Sequence, residues 1–325
     1  MKTTTCTGTS ATWMLLGVAF VGSPTASGDT LVAESLQGRY DLFEPVAISV
    51  TLRLDDPYLV ILDDPVEATL QDRRVRRGLS AELRYSDTTV LKVDLGRISF
   101  QPDEDQATVV TVTVLIVLGE LVPNTHGSVF TFWDSPGQYL LFVTDREKGI
   151  ESNGVPITVD APRGDLADAG ELFRKGGVGT LLAIHNTRVD ARVRNDFERL
   201  VSEHGNTPYG RYAKACLTLM QSEVIRASGT RLEPGERELL AAGLREVAAS
   251  FEPGHPVRNR AWLSLAAVQR PDNPEEDPRD TLHQLLGETK DAYTVRSAKG
   301  MLRRMERLTG CETTSPSPPV SPDKP

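Results

Sequence analysis

The side chains best suited to acid–base or metal chemistry are the five histidines, and their spacing does not build a site. None lies four residues from another, and no zinc-binding motif includes them. We expect these side chains to cap helices or to lie in solvated loops, and we predict no metal and no cofactor. They are His126, His185, His204, His255 and His283.

The sequence also contains no motif of an activated nucleophile. The Gly-x-Ser-x-Gly motif of the α/β-hydrolases is absent. Residues 175–180 are rich in glycine, but the lysine precedes the glycines and no predicted strand leads into them. A phosphate-binding loop requires the opposite arrangement, so a flexible turn is the better interpretation. The sequence therefore predicts no catalytic residue.

Two kinds of charged cluster could bind ions. Acidic residues gather at predicted turns, at residues 55–56, 63–64 and 103–105, where several carboxylate oxygens could hold calcium. Asp-Pro pairs at the first two positions are equally the chemistry of a plain turn. Four arginines at positions 73, 74, 76 and 77 could dock an acidic polymer, or could form a solvated loop. These alternatives stay open.

The first 28 residues have the pattern of a secretory signal. Lys2 precedes a polar run, residues 13–21 form a short apolar core, and small residues follow at positions 23–28. The apolar core is far shorter than the roughly 20 residues that span a bilayer. We predict an exported protein, periplasmic or extracellular, with no transmembrane segment in the mature chain.

Net charge and cysteine content narrow the class further. The formal net charge of −9 argues against nucleic-acid binding, because phosphates require a basic face. Beyond the predicted signal the cysteines are Cys216 and Cys311, too few for a disulfide framework. The two could form one disulfide in an oxidising compartment. The alternative is a buried free thiol at Cys216 and an exposed one at Cys311.

The elements that would position these residues change in kind along the chain. Residues 29–160 show the period-two alternation of β strands, most clearly in the hairpin within residues 130–159. Further strands are predicted at residues 46–54, 67–70, 79–85, 90–100 and 107–118. About seven short strands with turn residues between them predict a two-sheet sandwich.

Two segments of this region carry a resemblance. Phe43-Glu44-Pro45-Val46 opens a strand, and the closing hairpin contains Pro-Gly-Gln-Tyr at 136–139 and Ser-Asn-Gly-Val-Pro-Ile-Thr-Val at 152–159. They resemble bacterial extracytoplasmic immunoglobulin-like domains. The resemblance implies an immunoglobulin-like β-sandwich over residues 29–160, with Tyr139 at its edge and without the Cys and Trp spacing of antibody domains.

From residue 161 the apolar side chains recur every three or four residues, which predicts helices. Three helix pairs are separated by breaks near Pro208, Pro256 and Tyr293, each followed by Ala five residues later. Residues 206–217 (NTPYGRYAKACL) resemble degenerate tetratricopeptide-like repeats of exported bacterial proteins. The resemblance implies an α-helical hairpin-repeat domain over residues 161–310, and the alternative is an irregular helical bundle. Residues 311–325 are predicted to form a disordered Pro/Ser-rich tail.

The predicted fold class is therefore a multi-domain β-then-α protein, a sandwich followed by helical hairpins. The predicted function is non-catalytic binding or scaffolding, with a peptide or protein partner held on the concave face of the helical pairs. The candidate contact residues are Tyr209, Arg211, Tyr212 and Trp262. The alternative is an enzyme, or an enzyme accessory subunit, with its site at the junction of the two domains.

Overall fold

The computed structural model describes residues 28–55, 75–100, 109–124, 127–176, 191–228, 232–269 and 277–311. The predicted signal up to residue 27, the strand at 67–70 and residues 312–325 of the tail lie outside these ranges. Most of the acidic and arginine clusters considered for ion binding also lie outside them.

Strands form the N-terminal part of the described chain, as the alternating pattern predicts. The closing hairpin is confirmed, because the ninth and eleventh strands pair antiparallel with Ile157 opposite Tyr139. The strands are β1 Thr30–Ser35, β2 Arg39–Asp41, β3 Val46–Arg53, β4 Val75–Tyr85, β5 Thr88–Phe100, β6 Val109–Ile116, β7 Gly119–Asn124, β8 Gly127–Phe132, β9 Gly137–Asp145, β10 Ile150–Glu151 and β11 Val155–Asp160.

These strands form two larger sheets and one separate hairpin. The first sheet has the order β1-β3-β6, and the second has the order β2-β11-β9-β4-β5 with β10 paired to β9. Among the described strands, β7 and β8 pair only with each other. Alternate residues of β3, β4, β9 and β11 are buried, so each large sheet turns one apolar face inward.

Helices form the C-terminal part of the described chain, so the predicted order of strands followed by helices is confirmed. Four of the helices begin at a proline, where the missing N–H has no intrahelical partner to lose. The helices are α1 Asp165–Gly176, α2 Ala191–His204, α3 Pro208–Ser228, α4 Pro234–Ala249, α5 Pro256–Val268, α6 Pro278–Glu288 and α7 Ala292–Cys311.

The main hydrophobic core is continuous between strands and helices. Buried side chains of the sheets, such as Ile48 and Leu141, belong to the same cluster as Phe173, Tyr212 and Leu244 of the helices. A smaller cluster forms between α5, α6 and α7. The helices therefore pack directly against the sheets, and the domain bounds predicted from the sequence stay a prediction.

Arg77 corrects the interpretation of the arginine cluster as a loop. It lies within β4, and its guanidinium pairs with Asp29 at 2.7 Å and with Asp145 at 3.3 Å. Asp145 is fully buried, so this arginine serves the fold and is not available to an acidic polymer.

Candidate functional site

The turn that connects β2 to β3 lies where the strands meet helices α1, α3 and α5, a region we call the junction. It is the most strained backbone of the junction. The Glu44 N–H donates to the carbonyl of Asp41 at 2.9 Å, which closes a four-residue turn. Phe43, at its third position, has a φ of 75°. A side chain other than glycine rarely adopts this left-handed conformation, so the surrounding contacts must hold it there.

Three contacts from neighbouring elements hold the Phe43 turn. The Phe43 ring meets the Phe132 ring edge to face, with 5.6 Å between centroids. The Arg174 guanidinium of α1 lies 5.8 Å from the centre of the same ring. The Tyr209 hydroxyl of α3 donates a hydrogen bond to the carbonyl of Leu42.

Helix α3 begins in a way that directs two tyrosines at this turn. The Thr207 hydroxyl accepts from the Gly210 N–H at 3.1 Å, which caps the first turn of the helix. Tyr209 and Tyr212 are three residues apart and therefore lie on one face. Both rings are buried, and both pack against Phe173 of α1.

A chain of hydrogen bonds continues from Tyr212 to α5. His255 is the N-cap of α5, and its Nδ1 accepts from the Val257 N–H at 3.2 Å. Nδ1 thus carries no proton, and the proton on Nε2 can be donated to the Tyr212 hydroxyl, 3.2 Å away. The Tyr212 hydroxyl in turn donates to the carbonyl of Pro45 at 3.4 Å. The prediction that the histidines cap helices is confirmed at His255.

Burial changes the acidity of the groups at the junction. Burial raises the pKa of Glu44 to about 7, against the opposing effects of the Asp41 N–H and Arg211. Burial lowers the pKa of His255 to about 3, and the positive charge of Arg211 lowers it further. The pKa of Tyr212 is raised, also by burial first. Near neutral pH the junction thus holds a neutral imidazole and a carboxyl close to its titration point.

The predicted contact residues occupy different surroundings. Tyr209 and Tyr212 form the junction and have no exposed surface to offer a partner. Arg211, between them, is exposed and donates to the carbonyl of Ser250 at 3.3 Å. Trp262 of α5 is half-buried, with the Arg258 guanidinium 6.0 Å from its ring centre.

Cys216 is a free thiol in this structure. It is buried in α3, and burial raises its pKa to about 12, so it is a poor nucleophile. Cys311 ends α7, and its side chain lies outside those described. The bridge between these two cysteines stays a prediction.

Glu44 is the residue of the junction that sequence reasoning missed. It belongs to no catalytic or binding motif, although a carboxylate inside the apolar run at residues 42–48 is an unusual composition for a strand entry. That composition is the signal that could have found it.

The described residues form neither a metal-binding group nor a membrane-spanning helix. Among them, no three His, Cys, Asp or Glu side chains gather into a metal-binding group. No helix in the described ranges is long and apolar enough to cross a membrane.

A cleft of about 190 Å³ opens on the helices, away from the buried junction. We call it the helical cleft. Its lining combines apolar and charged side chains, a combination typical of binding sites. It is lined by Ser222, Glu223, Ile225 and Arg226 of α3, by Leu232 and Arg237 at the start of α4, and by Ser264, Ala267 and Val268 of α5.

Comparisons with known proteins give weak likenesses only. No protein-family model and no curated protein matches the sequence. The β-glucosidase of Listeria innocua in complex with isofagomine is 16% identical over 42% of this chain and 17% of that one, with a TM-score of 0.24. The alkylpurine DNA glycosylase AlkC of Pseudomonas fluorescens is 10% identical over 42% of this chain and 32% of that one, with a TM-score of 0.25.

The sporulation control protein Spo0M of Bacillus subtilis is 13% identical over 45% of this chain and 55% of its own length, with a TM-score of 0.22. This chain thus spans less than two thirds of each of these proteins. Likenesses at such TM-scores carry no argument about fold or function.

Proposed function

We propose that this protein is an exported, non-catalytic binding protein that holds a peptide or protein partner on its helical hairpins. In this proposal the strands form an immunoglobulin-like sandwich and the helices form tetratricopeptide-like repeats. Its support is the order of strands followed by helices, together with the sequence resemblances at residues 43–46, 136–139, 152–159 and 206–217. The helical cleft is the observation that carries it.

The geometry of the helical cleft suits a ligand with apolar and charged groups. Ile225, Leu232 and Val268 supply its apolar surface. Among its charged lining residues, Glu223 accepts from Arg226 at 2.6 Å and from Arg260 at 3.2 Å. Burial alone would raise the pKa of Glu223, but the hydrogen bonds from the two arginines outweigh it and lower the pKa. These paired charges thus form a fixed pattern that can discriminate between partners.

The junction supports a structural role more than a catalytic one. Its shifted pKa values are a feature of active sites, which is what favours the alternative of an enzyme. However, Glu44, Tyr212 and His255 are all buried. The last two also use their polar atoms to bind each other and the backbone. A substrate would have to displace these bonds to reach Tyr212 and His255. Binding at the helical cleft is therefore the better conclusion.

Blocking the helical cleft tests the proposal. Ala267 is exposed and lines the cleft, so Ala267→Trp should fill it without disturbing the core. Ala242→Trp on α4 is the matched control, since Ala242 is exposed and does not line the cleft. Wild type and the two variants would each be used to capture partners from the native envelope fraction, and mass spectrometry would identify the captured proteins. We expect a partner that wild type and Ala242→Trp retain and Ala267→Trp loses.

An identical set of captured proteins for all three forms would contradict the proposal. Export is tested separately, by expressing the full chain and locating it in the periplasmic or extracellular fraction. Retention of the unprocessed chain in the cytosol would contradict the export part alone.

A further inference from the structure

A second groove lies on the strand region, and its shape differs from that of the helical cleft. It has a volume of about 470 Å³ and separates β5 from the base of the β7–β8 hairpin. We call it the edge slot. Its lining consists of residues 89–92 of β5, Gly119 of β7 and residues 131–134 at the end of β8.

The lining residues show that the slot follows strand backbones and not a sheet face. Successive side chains of a strand point to opposite faces, so a groove over one face would be lined by alternate residues. Here four consecutive residues line each wall. Strand β5 ends its sheet, and β8 pairs only with β7 among the described strands. The outer edge of β5 therefore presents backbone N–H and C=O groups that lack a neighbouring strand among those described. On the other wall, residues 131–132 pair with β7 and the Trp133 N–H donates to the carbonyl of Leu118 at 2.9 Å.

Two β-bulges in β5 limit the length of any strand that could pair along this edge. The register with β4 passes from Leu91 to Thr89 and from Gly96 to Asp94, so Val90 and Leu95 have no partner on β4. A bulge disrupts the ladder locally. The regular stretch between the bulges is residues 91–94, which allows only a short added strand.

The side chains of the slot indicate the chemistry of its ligand. Trp133 offers apolar surface, and its indole N–H is buried without a hydrogen-bond partner among the described residues. An unpaired buried donor is unfavourable, and the backbone of an entering strand would bring carbonyl acceptors. Asp134 is exposed and forms no ion pair with any described residue, whereas Lys92 is already paired with Glu82 at 2.7 Å. The unbalanced charge of the slot is therefore negative.

We propose that the edge slot binds a short extended segment of a partner protein as an added β-strand, in which apolar and basic residues alternate. The apolar side chains would contact Trp133, and a basic side chain would pair with Asp134. This site is separate from the helical cleft, and it does not depend on the function proposed for that cleft.

A charge swap tests the proposal on the full chain. The probes are two blocked octapeptides of alternating sequence, one of valine and lysine and one of valine and glutamate, titrated by calorimetry. We expect the lysine peptide to bind wild type and to bind Asp134→Lys about tenfold more weakly, with the reverse order for the glutamate peptide. Glu238→Lys, at an exposed position of α4, is the control and should bind both peptides as wild type does.

Hydrogen exchange tests whether the peptide adds as a strand. The lysine peptide should slow amide exchange within residues 89–94, and a version with alternate amides N-methylated should bind about tenfold more weakly. Equal affinity of the N-methylated peptide, or equal affinity of the lysine peptide for wild type and Asp134→Lys, would overturn the proposal.

Two further measurements distinguish strand addition at the edge slot from binding at the helical cleft and from self-association. Ala267→Trp, which blocks the helical cleft, should bind the lysine peptide as wild type does, and a loss of binding would assign the peptide to the cleft. A purified chain that dimerises through β5 and excludes the peptide would show that the slot takes a second copy. Either result would overturn the proposal while leaving the function of the helical cleft to its own test.

Discussion

Glu44 is a carboxylic acid held among apolar side chains two residues before β3, with 6% of its surface exposed. Its Oε2 accepts from the Asp41 N–H at 2.9 Å, a bond that favours the ionised form. Burial outweighs this bond and raises the pKa from 4.5 to about 7. The folded protein therefore holds this proton more tightly than the unfolded chain does.

The sign of the resulting pH dependence follows from the raised pKa. The contribution of Glu44 to the free energy of unfolding is complete below about pH 4.5 and is lost as the pH rises through about 7. The gap between these two values corresponds to a loss of about 3 kcal/mol. Gln at position 44 keeps an oxygen for the Asp41 N–H but cannot ionise. We predict that, between pH 4.5 and 8, wild type loses about 3 kcal/mol more unfolding free energy than Glu44→Gln.

Urea denaturation of both proteins at the two pH values measures this difference. His255 acts in the opposite direction, because its lowered pKa contributes stability above about pH 6.5 that is lost as the pH falls through about 3. That contribution is common to wild type and Glu44→Gln, so it cancels in the comparison. Glu34→Gln, at an exposed position of β1, is the control. Parallel pH profiles for wild type and Glu44→Gln would show that Glu44 ionises as it does in water.

At the scale of single elements, Asp291 joins an edge strand to a helix. Its Oδ1 accepts from the Thr294 N–H at 2.8 Å and so caps α7. Its Oδ2 accepts from the Thr113 N–H at 2.8 Å, on β6 at the edge of the three-stranded sheet. One carboxylate thus accepts hydrogen bonds both from the N–H of an edge strand and from the first turn of a helix.

Asp291→Ala should therefore be more destabilising than the loss of a helix cap alone. The lost cap costs about 1 kcal/mol and the unpaired Thr113 N–H adds about 1 kcal/mol or more. Asp277 is the matched control, since it caps α6 by accepting from the Arg279 N–H at 2.8 Å and bonds to none of the described strands. We predict a larger loss of unfolding free energy for Asp291→Ala than for Asp277→Ala, together with faster exchange of the Thr113 amide. Equal losses would mean that the bond to β6 contributes nothing.

The elements themselves were more predictable than their contacts. Period-two alternation identified β3, β4, β5, β6 and the closing hairpin, because one face of each strand is buried. It missed β1, β2 and the β7–β8 hairpin, of which β2 is short and the hairpin leaves the main sheets. Prolines identified the starts of α3 and α5. The bonds from Asp291 to Thr113 and from Tyr209 to Leu42 join positions more than 160 residues apart, and no local pattern encodes such pairings.

The contacts of the candidate site were likewise not predictable from local sequence patterns. The sequence pointed to Tyr209 and Tyr212 as contact residues for a partner on the concave face of the helical pairs. They do form an interface, but an internal one, where the start of α3 packs on the turn before β3. Whether an aromatic residue faces a partner or another part of its own chain depends on tertiary packing, which periodicity does not report.

For the molecule as a whole, the continuous core implies that strands and helices unfold together. Phe173, Tyr209 and Tyr212 are buried against one another and against the Phe43 turn, so neither region keeps its surface covered without the other. We predict one thermal transition in calorimetry, at the same temperature as the loss of helical circular dichroism and of amide protection in β3 and β9. A fragment of residues 161–311 should lack a cooperative transition, because it would expose these three rings.

Substitutions of Tyr212 test the same coupling between strands and helices. Tyr212→Phe keeps the ring and loses the bonds to Pro45 and His255, so it should cost about 1 kcal/mol. Tyr212→Ala removes the ring from the junction and should cost about 4 kcal/mol. If the regions are coupled, Tyr212→Ala lowers the stability of β3 and β9 amides as much as that of α3 amides, whereas Tyr293→Ala, at an exposed position of α7, leaves both unchanged. Destabilisation confined to the helices would instead mean that the sheets fold alone and that the shared core couples the two regions only weakly.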